Sequence, residues 1–275
     1  MSRETVQTLF HPFETGELAL PDADGRCLVF GAERDFNIRG RFAGELTFVQ
    51  GFRPDFLALQ RAGFNVVPEW EGTGYSHVLV LAGRHRGENE RWIAEAVQRV
   101  AADGLIVVAG GKTDGVASMR KRLEVKFPLG GHLSKNHGTV FWFKPAPEAG
   151  SWAEAVCRDQ VDSALVEGRF ETAPGMFSYD RVDVGSRLLA DALPGDLRGV
   201  AADFCAGWGY LAAMIAERAT CSRIDLYEAQ YASLEAARRN MARLAPATDA
   251  RFHWCDLTTE KVERIYDTIV MNPPF

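Results

Sequence analysis

The feature that most constrains this chain is a series of four β-like runs in its second half, each closed by a polar residue. The four runs are Gly199–Asp203, Arg223–Glu228, Arg251–Cys255 with Asp256 next, and Tyr266–Met271 with Asn272 next. Helical runs separate the first three, and this alternation predicts a parallel sheet covered by helices. Because the carboxyl ends of parallel strands meet at one edge, the sequence predicts a ligand site there.

The segment after the first of these runs resembles a nucleotide-binding turn. It reads Phe-Cys-Ala-Gly-Trp-Gly and leads into a predicted helix, Tyr210–Arg218. Gly207 and Gly209 allow a tight turn and a close approach of the backbone to a ligand. The helix N-terminus offers free N–H groups that suit a carboxylate or a phosphate. Glu228 stands where an acid accepts ribose hydroxyls, and Asp256 where a carboxylate meets an adenine amino group.

The fourth run ends in Asn272-Pro273-Pro274-Phe275. The residue types of this motif suit the transfer of a methyl group to an exocyclic amine on an aromatic ring. The lone pair of such a nitrogen is delocalised into the ring. Acceptors at the Asn272 side chain and the Pro273 carbonyl would draw the nitrogen toward tetrahedral geometry. The prolines stiffen the turn, and Phe275 offers a face on which a base can stack. Taken alone the motif could be a rigid turn, but its position in this series favours catalysis.

The first half of the chain also alternates strands and helices. Predicted strands are Leu28–Ala32, His77–Ala82, Leu105–Ala109 and Thr139–Phe143, and predicted helices are 54–63, Glu88–Asp103 and Val116–Leu123. Within the last strand, Phe141 and Phe143 should share one buried face. The prolines of Lys144–Gly150 indicate a linker, after which Ser151 and Glu154 form a capping box. We therefore expect two α/β domains, 1–145 and 146–275.

Charge is distributed unevenly along the chain. The net charge is −6, yet residues 112–144 hold seven basic and two acidic residues. This segment suggests an RNA-binding surface, the alternative being a solvated basic face. The candidate phosphate contacts are Arg120, Lys121, Arg122, Lys126 and Lys135, with His132 and His137 in the loop that we predict after the helix. Those two histidines have no third ligand in view, so no metal site is expected.

Composition excludes several classes of protein. No apolar run approaches the ~18 residues of a membrane span, and the N-terminus has no apolar signal core. The five cysteines are scattered and include no CxxC pair, which argues against a disulfide framework or a structural zinc site. A cytoplasmic protein in a reducing compartment fits best.

With these motifs in place, the chain resembles the class I S-adenosylmethionine-dependent methyltransferases. More narrowly, it is similar to the small-subunit ribosomal RNA guanine-N2 methyltransferases of the C type. The segment from Pro174 to Leu189 is similar to the one that precedes the first strand in that family, and a final Phe in the Asn-Pro-Pro motif is typical of it. The resemblance covers most of the chain, closely from Pro174 onward and loosely before Lys144.

The resemblance implies further residues of the donor pocket. Phe177 and Ser178 would line the pocket, while Asp183, Gly185 and Ser186 would shape its floor. The expected cofactor-binding residues are therefore Phe177, Ser178, Asp203, Cys205, Ala206, Gly207, Gly209, Glu228 and Asp256. Cys205 and Trp208 depart from the small residues usual in the turn, and Trp208 could crowd the donor or cover its pocket.

The resemblance also implies an architecture of two Rossmann-like, methyltransferase-type domains. The N-terminal domain is expected to be degenerate and not to bind the donor, because Val-Phe-Gly-Ala-Glu-Arg after its first strand lacks the acid-and-glycine pattern. In that family the sheet continues with three more strands after the Asn-Pro-Pro motif. We therefore expect the C-terminal domain of this chain to be truncated after its fourth strand.

These expectations give a cytoplasmic enzyme that transfers a methyl group from S-adenosylmethionine to guanine N2 in ribosomal RNA or a ribosomal subunit. The alternatives are an N6-adenine methyltransferase, a protein glutamine N5 methyltransferase, or a non-catalytic RNA-binding or assembly protein with the same fold. No membrane partner is expected. The sequence leaves the target nucleotide, the oligomeric state and the choice between naked RNA and assembled subunit open.

Overall fold

The computed structural model describes residues 3–33, 44–161 and 165–273, which form two compact units. The first unit comprises Met1–Gln50 and Asp55–Asp162, and the second comprises Gly51–Pro54 and Ser163–Phe275. Two predicted catalytic residues, Pro274 and Phe275, lie outside the described residues.

The first unit contains a seven-stranded sheet. Its strands are β1 (Arg26–Phe30), β2 (Glu45–Val49), β3 (Asn65–Val67), β4 (Tyr75–Leu81), β5 (Val100–Gly111), β6 (Gly131–Lys135) and β7 (Gly138–Phe143). The strand order is β3-β2-β1-β4-β5-β7-β6. Strand β7 runs antiparallel to β5 and β6, and the other neighbours are parallel. The expectation of a wholly parallel sheet is therefore wrong at this edge.

The antiparallel edge arises from a tight hairpin between β6 and β7. Asn136 and His137 form its turn, and both have positive φ, at 48° and 57°. Two such residues in succession reverse the chain with the twist that a hairpin requires. Of the two histidines that we expected in a loop, His132 therefore lies on a strand and His137 lies in the turn; Lys135 ends the same strand as His132.

The core of the first unit lies on both faces of this sheet. In β4, Val78 and Val80 pack into one buried cluster, while Leu79 and Leu81 pack into the other. A strand buried on both faces reads as a continuous apolar run, which is how the sequence predicted it. Phe141 and Phe143 of β7 share one buried face as predicted, with stacked rings 6.4 Å apart.

Helices cover the sheet of the first unit. They are α1 (Arg3–Glu14), α2 (Arg53–Arg61), α3 (Arg86–Arg99), α4 (Val116–Glu124) and α5 (Pro147–Val161). The sequence predicted α2, α3 and α4, but not α1. Helix α3 ends four residues earlier than predicted, because Val100 already pairs with Tyr75 of β4.

The predicted linker is wrong in its second half, and so is the predicted domain boundary. Residues from Pro147 form α5, whose Ala149 and Ala153 are buried in the core of the first unit. Proline is tolerated in the first turn of a helix, where its missing N–H would have no partner. The helix thus begins before Ser151, and the division falls after Asp162 instead of after residue 145.

The second unit contains a four-stranded parallel sheet. Its elements are α6 (Val184–Asp191), β8 (Arg198–Phe204), α7 (Tyr210–Arg218), β9 (Thr220–Glu228), α8 (Tyr231–Leu244), β10 (Ala250–Trp254) and β11 (Thr268–Met271). The strand order is β10-β9-β8-β11, which repeats the order β3-β2-β1-β4 of the first unit. The four strands predicted to end in polar residues are therefore neighbours in one sheet, and the prediction of two α/β units is confirmed.

No helix in the described part of the chain has the length and apolar character needed to cross a membrane.

Candidate functional site

The turn between β8 and α7 is built on a buried carboxylate. Asp203 is fully buried, and its Oδ2 accepts a hydrogen bond from the backbone N–H of Ala212 in α7 at 2.9 Å. Its Oδ1 makes no hydrogen bond to a described residue. Burial raises the pKa of Asp203 to about 8. In this structure the side chain supports the turn from below and does not line the cleft described next.

The turn itself has a left-handed backbone at three positions. Cys205, Gly207 and Gly209 have φ of 60°, 55° and 87°. A Cβ at Gly209 would lie 3.1 Å from the Cβ of Ala237, so this glycine allows α7 to approach α8 closely. At Gly207 no described atom lies within 4 Å of a Cβ position. The backbone at Gly207 is therefore open to a ligand.

Glu228, at the end of β9, reaches back to this turn. Its Oε2 accepts a hydrogen bond from Gly207 N at 2.8 Å, and its Oε1 accepts one from Gln230 N at 2.7 Å. Burial raises the pKa of Glu228 above its ordinary value, although these hydrogen bonds act in the opposite direction. The carboxylate is thus held at the glycine turn, where hydroxyl groups of a ligand could reach its remaining lone pairs.

Asp256 orders its own loop. One carboxylate oxygen accepts hydrogen bonds from the N–H and hydroxyl of Thr258, and the other accepts one from the hydroxyl of Thr259. Glu260 closes the loop by accepting the backbone N–H of Asp256 at 2.9 Å. The contact with an adenine amino group that the sequence predicted for Asp256 stays a prediction.

A feature that sequence reasoning missed is the anchoring of this loop by Arg53. Within the second unit, the Arg53 guanidinium makes two hydrogen bonds to the carboxylate of Glu260, at 2.8 and 2.9 Å. The same guanidinium lies 4.7 Å from the ring centroid of Trp254. This pairing holds the pKa of Glu260 below its ordinary value. No local signal marks a contact between residues 207 positions apart.

The segment that contains Phe177 is tied to the glycine turn by Trp208. The Trp208 indole is buried against Phe170 and donates its Nε1–H to the carbonyl oxygen of Phe177 at 3.0 Å. Phe177 itself is 60 % exposed. Of the two possibilities left open for Trp208, the structure favours a side chain that closes the wall of the pocket.

The amide of Asn272 is held on one side. Its Nδ2 donates hydrogen bonds to Oδ2 of Asp183 at 2.9 Å and to Oγ of Ser186 at 2.8 Å. Asp183 is also the N-cap of α6, because the same Oδ2 accepts the backbone N–H of Ser186 at 2.9 Å. These hydrogen bonds, chiefly the one from the Ser186 backbone, hold the pKa of Asp183 below its ordinary value.

Most of these groups surround one cleft of about 390 Å³, part of which is open to solvent. It is lined by Phe177, Ser178, Val182, Asp183, Ser186, Cys205, Ala206, Gly207, Trp208, Tyr210, Leu211 and Asn272. Eight of the predicted site residues are among them, including Asp183 and Ser186 of the predicted floor. The other predicted residues that the structure describes, namely Asp203, Gly185, Gly209, Glu228, Asp256 and Pro273, are not part of this lining. Val182, Tyr210 and Leu211 were not predicted.

The basic segment of the first unit divides into paired arginines and exposed lysines. Arg120 pairs with Glu124 at 2.8 Å, and Arg122 pairs with Glu90 at 3.1 Å. Lys121, Lys126 and Lys135 are exposed to solvent. Within the described residues, no group of three or more His, Cys, Asp and Glu side chains could hold a metal ion.

One family model matches most of the second unit. Residues 167–275 match the model of the methyltransferase small domain. The match contains the glycine turn, the acid that ends β9, the acid that follows β10, and Asn272, but not Gly51–Pro54. The resemblance that the sequence indicated is confirmed.

The curated proteins most similar to this chain include several that carry one name. The chain is 25 % identical over 200 residues to the ribosomal RNA small subunit methyltransferase C of Vibrio vulnificus, covering 72 % of this chain and 58 % of that protein. It is 30 % identical over 175 residues to the protein of the same name from Cronobacter sakazakii, covering 62 % of this chain and 48 % of that protein. The chain thus spans about half of the length of these relatives.

A solved structure shares the fold of nearly the whole chain. It is the T. thermophilus 16S rRNA N2 G1207 methyltransferase in complex with AdoMet and guanosine. It superposes with a TM-score of 0.73 at 22 % identity, covering 98 % of this chain and 74 % of that one. The match includes both units, so each unit has a counterpart in that fold.

Proposed function

We propose that this protein transfers a methyl group from S-adenosylmethionine to the exocyclic N2 of guanine in ribosomal RNA. The observation that carries the proposal is the position of Asn272. Its amide, at the carboxyl end of β11, lines the same cleft as the glycine turn between β8 and α7. An acceptor for an amine and a turn open to a cofactor therefore lie side by side.

The residues around the cleft fit S-adenosylmethionine. The backbone of Cys205, Ala206 and Gly207 would hold the methionine part beside Phe177 and Ser178. The space beside Gly207 supports this placement, because a ligand can meet the backbone there. Glu228 would accept the ribose hydroxyls with the lone pairs that Gly207 and Gln230 leave. Asp256 would act at the adenine end, where its carboxylate orders the loop.

The proposed chemistry is a direct displacement. Bound S-adenosylmethionine supplies an electrophilic methyl carbon on sulfur. Asn272 Oδ1 and the carbonyl oxygen of Pro273 would accept the two N–H groups of the guanine amine and so aim its lone pair at that carbon. As the N–C bond forms and the C–S bond breaks, the amine loses one proton to solvent. Such positioning can contribute about 7–11 kcal/mol in well-oriented systems.

Support for guanine in ribosomal RNA comes from the relatives. Two of them are named for the small ribosomal subunit, and the structure of similar fold contains guanosine beside AdoMet. Because the chain spans about half of the curated relatives, the substrate stays our proposal. A ribosomal RNA substrate also fits a cytoplasmic location and the exposed lysines Lys121, Lys126 and Lys135 of the first unit. These lysines are free of the short ion pairs that occupy Arg120 and Arg122 in the described part of the chain.

The proposal is tested by methyl transfer from radiolabelled donor to unmethylated ribosomal subunits and to naked ribosomal RNA. The full-length protein is used, the RNA is digested to nucleosides, and Asn272→Ala serves as the control. We expect label in N2-methylguanosine, and at least about a hundredfold less of it with the variant. Label in N6-methyladenosine, or in glutamine of a protein, would overturn the substrate. No label in any product would overturn the enzymatic function in favour of an RNA-binding or assembly role.

A further inference from the structure

The Asn272 amide has two N–H donors, and the structure uses both of them on one side. One points to the Asp183 carboxylate at 2.9 Å and the other to the Ser186 hydroxyl at 2.8 Å. An amide nitrogen carries no further donor. The opposite end of the amide, Oδ1, is an acceptor.

The orientation of an asparagine amide is fixed only when its neighbours distinguish oxygen from nitrogen. Asp183 makes this distinction, because an ionised carboxylate accepts hydrogen bonds and donates none. A flipped amide would place Oδ1 of Asn272 against a carboxylate oxygen. Ser186 alone would not exclude the flip, since its hydroxyl can donate as well as accept.

The Asp183 carboxylate is itself held in place. Its Oδ2 caps α6 by accepting Ser186 N, so Oδ2 already faces the helix N-terminus and the Asn272 amide. Gly185, between the two, leaves room for the carboxylate, because a Cβ there would lie only 3.1 Å from Oδ2 of Asp183. The Asp-Val-Gly-Ser sequence therefore caps a helix and contacts the candidate catalytic amide with the same groups.

We propose that Asp183 is a positioning residue that fixes the Asn272 amide with its nitrogen bound and its oxygen available to the substrate amine. The inference rests on the proposed function, since it concerns the acceptor that the reaction needs. Asp183 does not contact the reacting atoms. It acts through Asn272 by excluding the flipped amide, in which a donor would face the donor groups of the substrate.

The decisive variant is Asp183→Asn. Asparagine caps helices about as well as aspartate, so α6 and the thermal stability should be retained. The new amide can donate as well as accept, so Asn272 is no longer forced into one orientation. We expect kcat to fall about tenfold or more, with the dissociation constant of S-adenosylhomocysteine within about twofold of the wild type. Ser186→Ala keeps the carboxylate and should lower kcat by about threefold or less.

A double-mutant cycle separates positioning from an independent role. If Asp183 acts through Asn272, then Asp183→Asn should cost nothing further in the Asn272→Ala background. An equal loss in both backgrounds, or a wild-type kcat for Asp183→Asn, would overturn the proposal.

A readout without turnover keeps the inference testable if wild-type protein methylates no guanine. Protein labelled with ¹⁵N-asparagine shows the Asn272 side-chain amide by NMR, assigned from its absence in Asn272→Ala. We expect two resolved protons that exchange slowly with water, and faster exchange in Asp183→Asn. Exchange in the wild type as fast as that of exposed asparagines would contradict the fixed amide. An inactive wild type with a protected amide would overturn the proposed function alone.

Discussion

The sheets of the two units have the same order in their first four strands, but they differ in the residues at the carboxyl ends of those strands. The pairing registers of these strands correspond. The matching triplets are Val49–Phe30–Val80 in the first sheet and Tyr227–Phe204–Met271 in the second. The residue after each phenylalanine, Gly31 or Cys205, has positive φ. The two turns after the first strand therefore begin alike.

The register shows which side chains differ between the two units. Three polar site residues of the second unit have counterparts in the first: Val29 for Asp203, Gln50 for Glu228, and Leu81 for Asn272. Val29 and Leu81 are fully buried in the core. Gln50 donates its Nε2 to the carbonyl oxygen of Ala32 at 2.6 Å, whereas Glu228 accepts an N–H from its turn. The two units thus differ less in their sheets than in a few side chains at the strand ends.

The largest effect should come from Asn272, whose counterpart in the first unit is the apolar Leu81. Asn272→Ala removes the proposed amine acceptor and should lower kcat at least about a hundredfold, as the loss of one aligned polar group does in other active sites. Donor affinity should be nearly kept, because Glu228 and the glycine turn are unchanged. Rapid-quench turnover and calorimetry measure the two quantities. Near-normal turnover would contradict the proposed mechanism.

The next prediction exchanges the matched pair Glu228 and Gln50. Glu228→Gln gives the second unit the amide of the first and removes a charged acceptor, so the dissociation constant of S-adenosylhomocysteine should rise about tenfold. Gln50→Glu is the reciprocal change in the first unit and should leave that constant unchanged, although it places a carboxylate near a carbonyl oxygen. Calorimetry checks both variants. A similar loss of affinity in the two variants would contradict the proposed difference between Glu228 and Gln50.

A third prediction concerns the buried acid that Val29 replaces in the first unit. The pKa of Asp203 is about 8 in the folded chain, above the ordinary value of 3.8. The folded state therefore binds one more proton than the unfolded state between these values. The contribution of protonated Asp203 to the free energy of unfolding is therefore complete below pH 3.8. It falls by about 1.4 kcal/mol per pH unit as the pH rises, and it is lost as the pH passes through the folded-state pKa.

Asp203→Asn removes this titrating group and should therefore remove its contribution to the pH dependence of the free energy of unfolding. The difference in unfolding free energy between the variant and the wild type should therefore increase from pH 5 to pH 8 in favour of the variant. Urea denaturation at several pH values measures it. A difference that is constant with pH would show that Asp203 is ionised in the folded protein.

The smallest expected effect lies in the first unit. Reversing the exposed lysines Lys121, Lys126 and Lys135 to glutamate should weaken binding to ribosomal RNA severalfold without changing donor affinity. Each lost phosphate contact should lower the slope of log K against log salt by about 0.7–0.9. Arg120→Gln and Arg122→Gln are the matched controls, since their guanidinium groups pair with Glu124 and Glu90. An unchanged salt dependence after lysine reversal would refute a role of this surface in RNA binding.

The sequence predicted the second unit well because its signals are local. Helix α7 has the predicted bounds, Tyr210–Arg218, since a glycine precedes it and an apolar face runs through it. The four strands of the site were predicted because each is a short β-like run that ends at or just before a polar residue. Their meeting at one edge follows from parallel pairing.

The errors have equally specific causes. Pro147 was interpreted as part of a linker, although proline also begins helices, and only the burial of Ala149 and Ala153 decides between the two. The antiparallel edge depends on a hairpin turn of Asn136 and His137, a pair without the glycine that usually marks such turns.

Contacts between distant residues were beyond sequence reasoning. Asp183 and Asn272 are 89 positions apart, and the periodicity of neither segment indicates that they meet. The same is true of Arg53 and Glu260. The residue types of the site could be predicted from the strands that carry them, whereas the groups that orient those residues required the fold.

The most direct test of the account is the number of S-adenosylhomocysteine molecules bound per chain, measured by native mass spectrometry and calorimetry on the full-length protein. The account predicts one, because among residues 3–33, 44–161 and 165–273 the carboxylate and the open glycine turn occur together in the second unit alone. Asp203, Glu228 and Asn272 have Val29, Gln50 and Leu81 as counterparts in the first unit. Two bound molecules, or one that persists at unchanged affinity in Glu228→Gln, would contradict it.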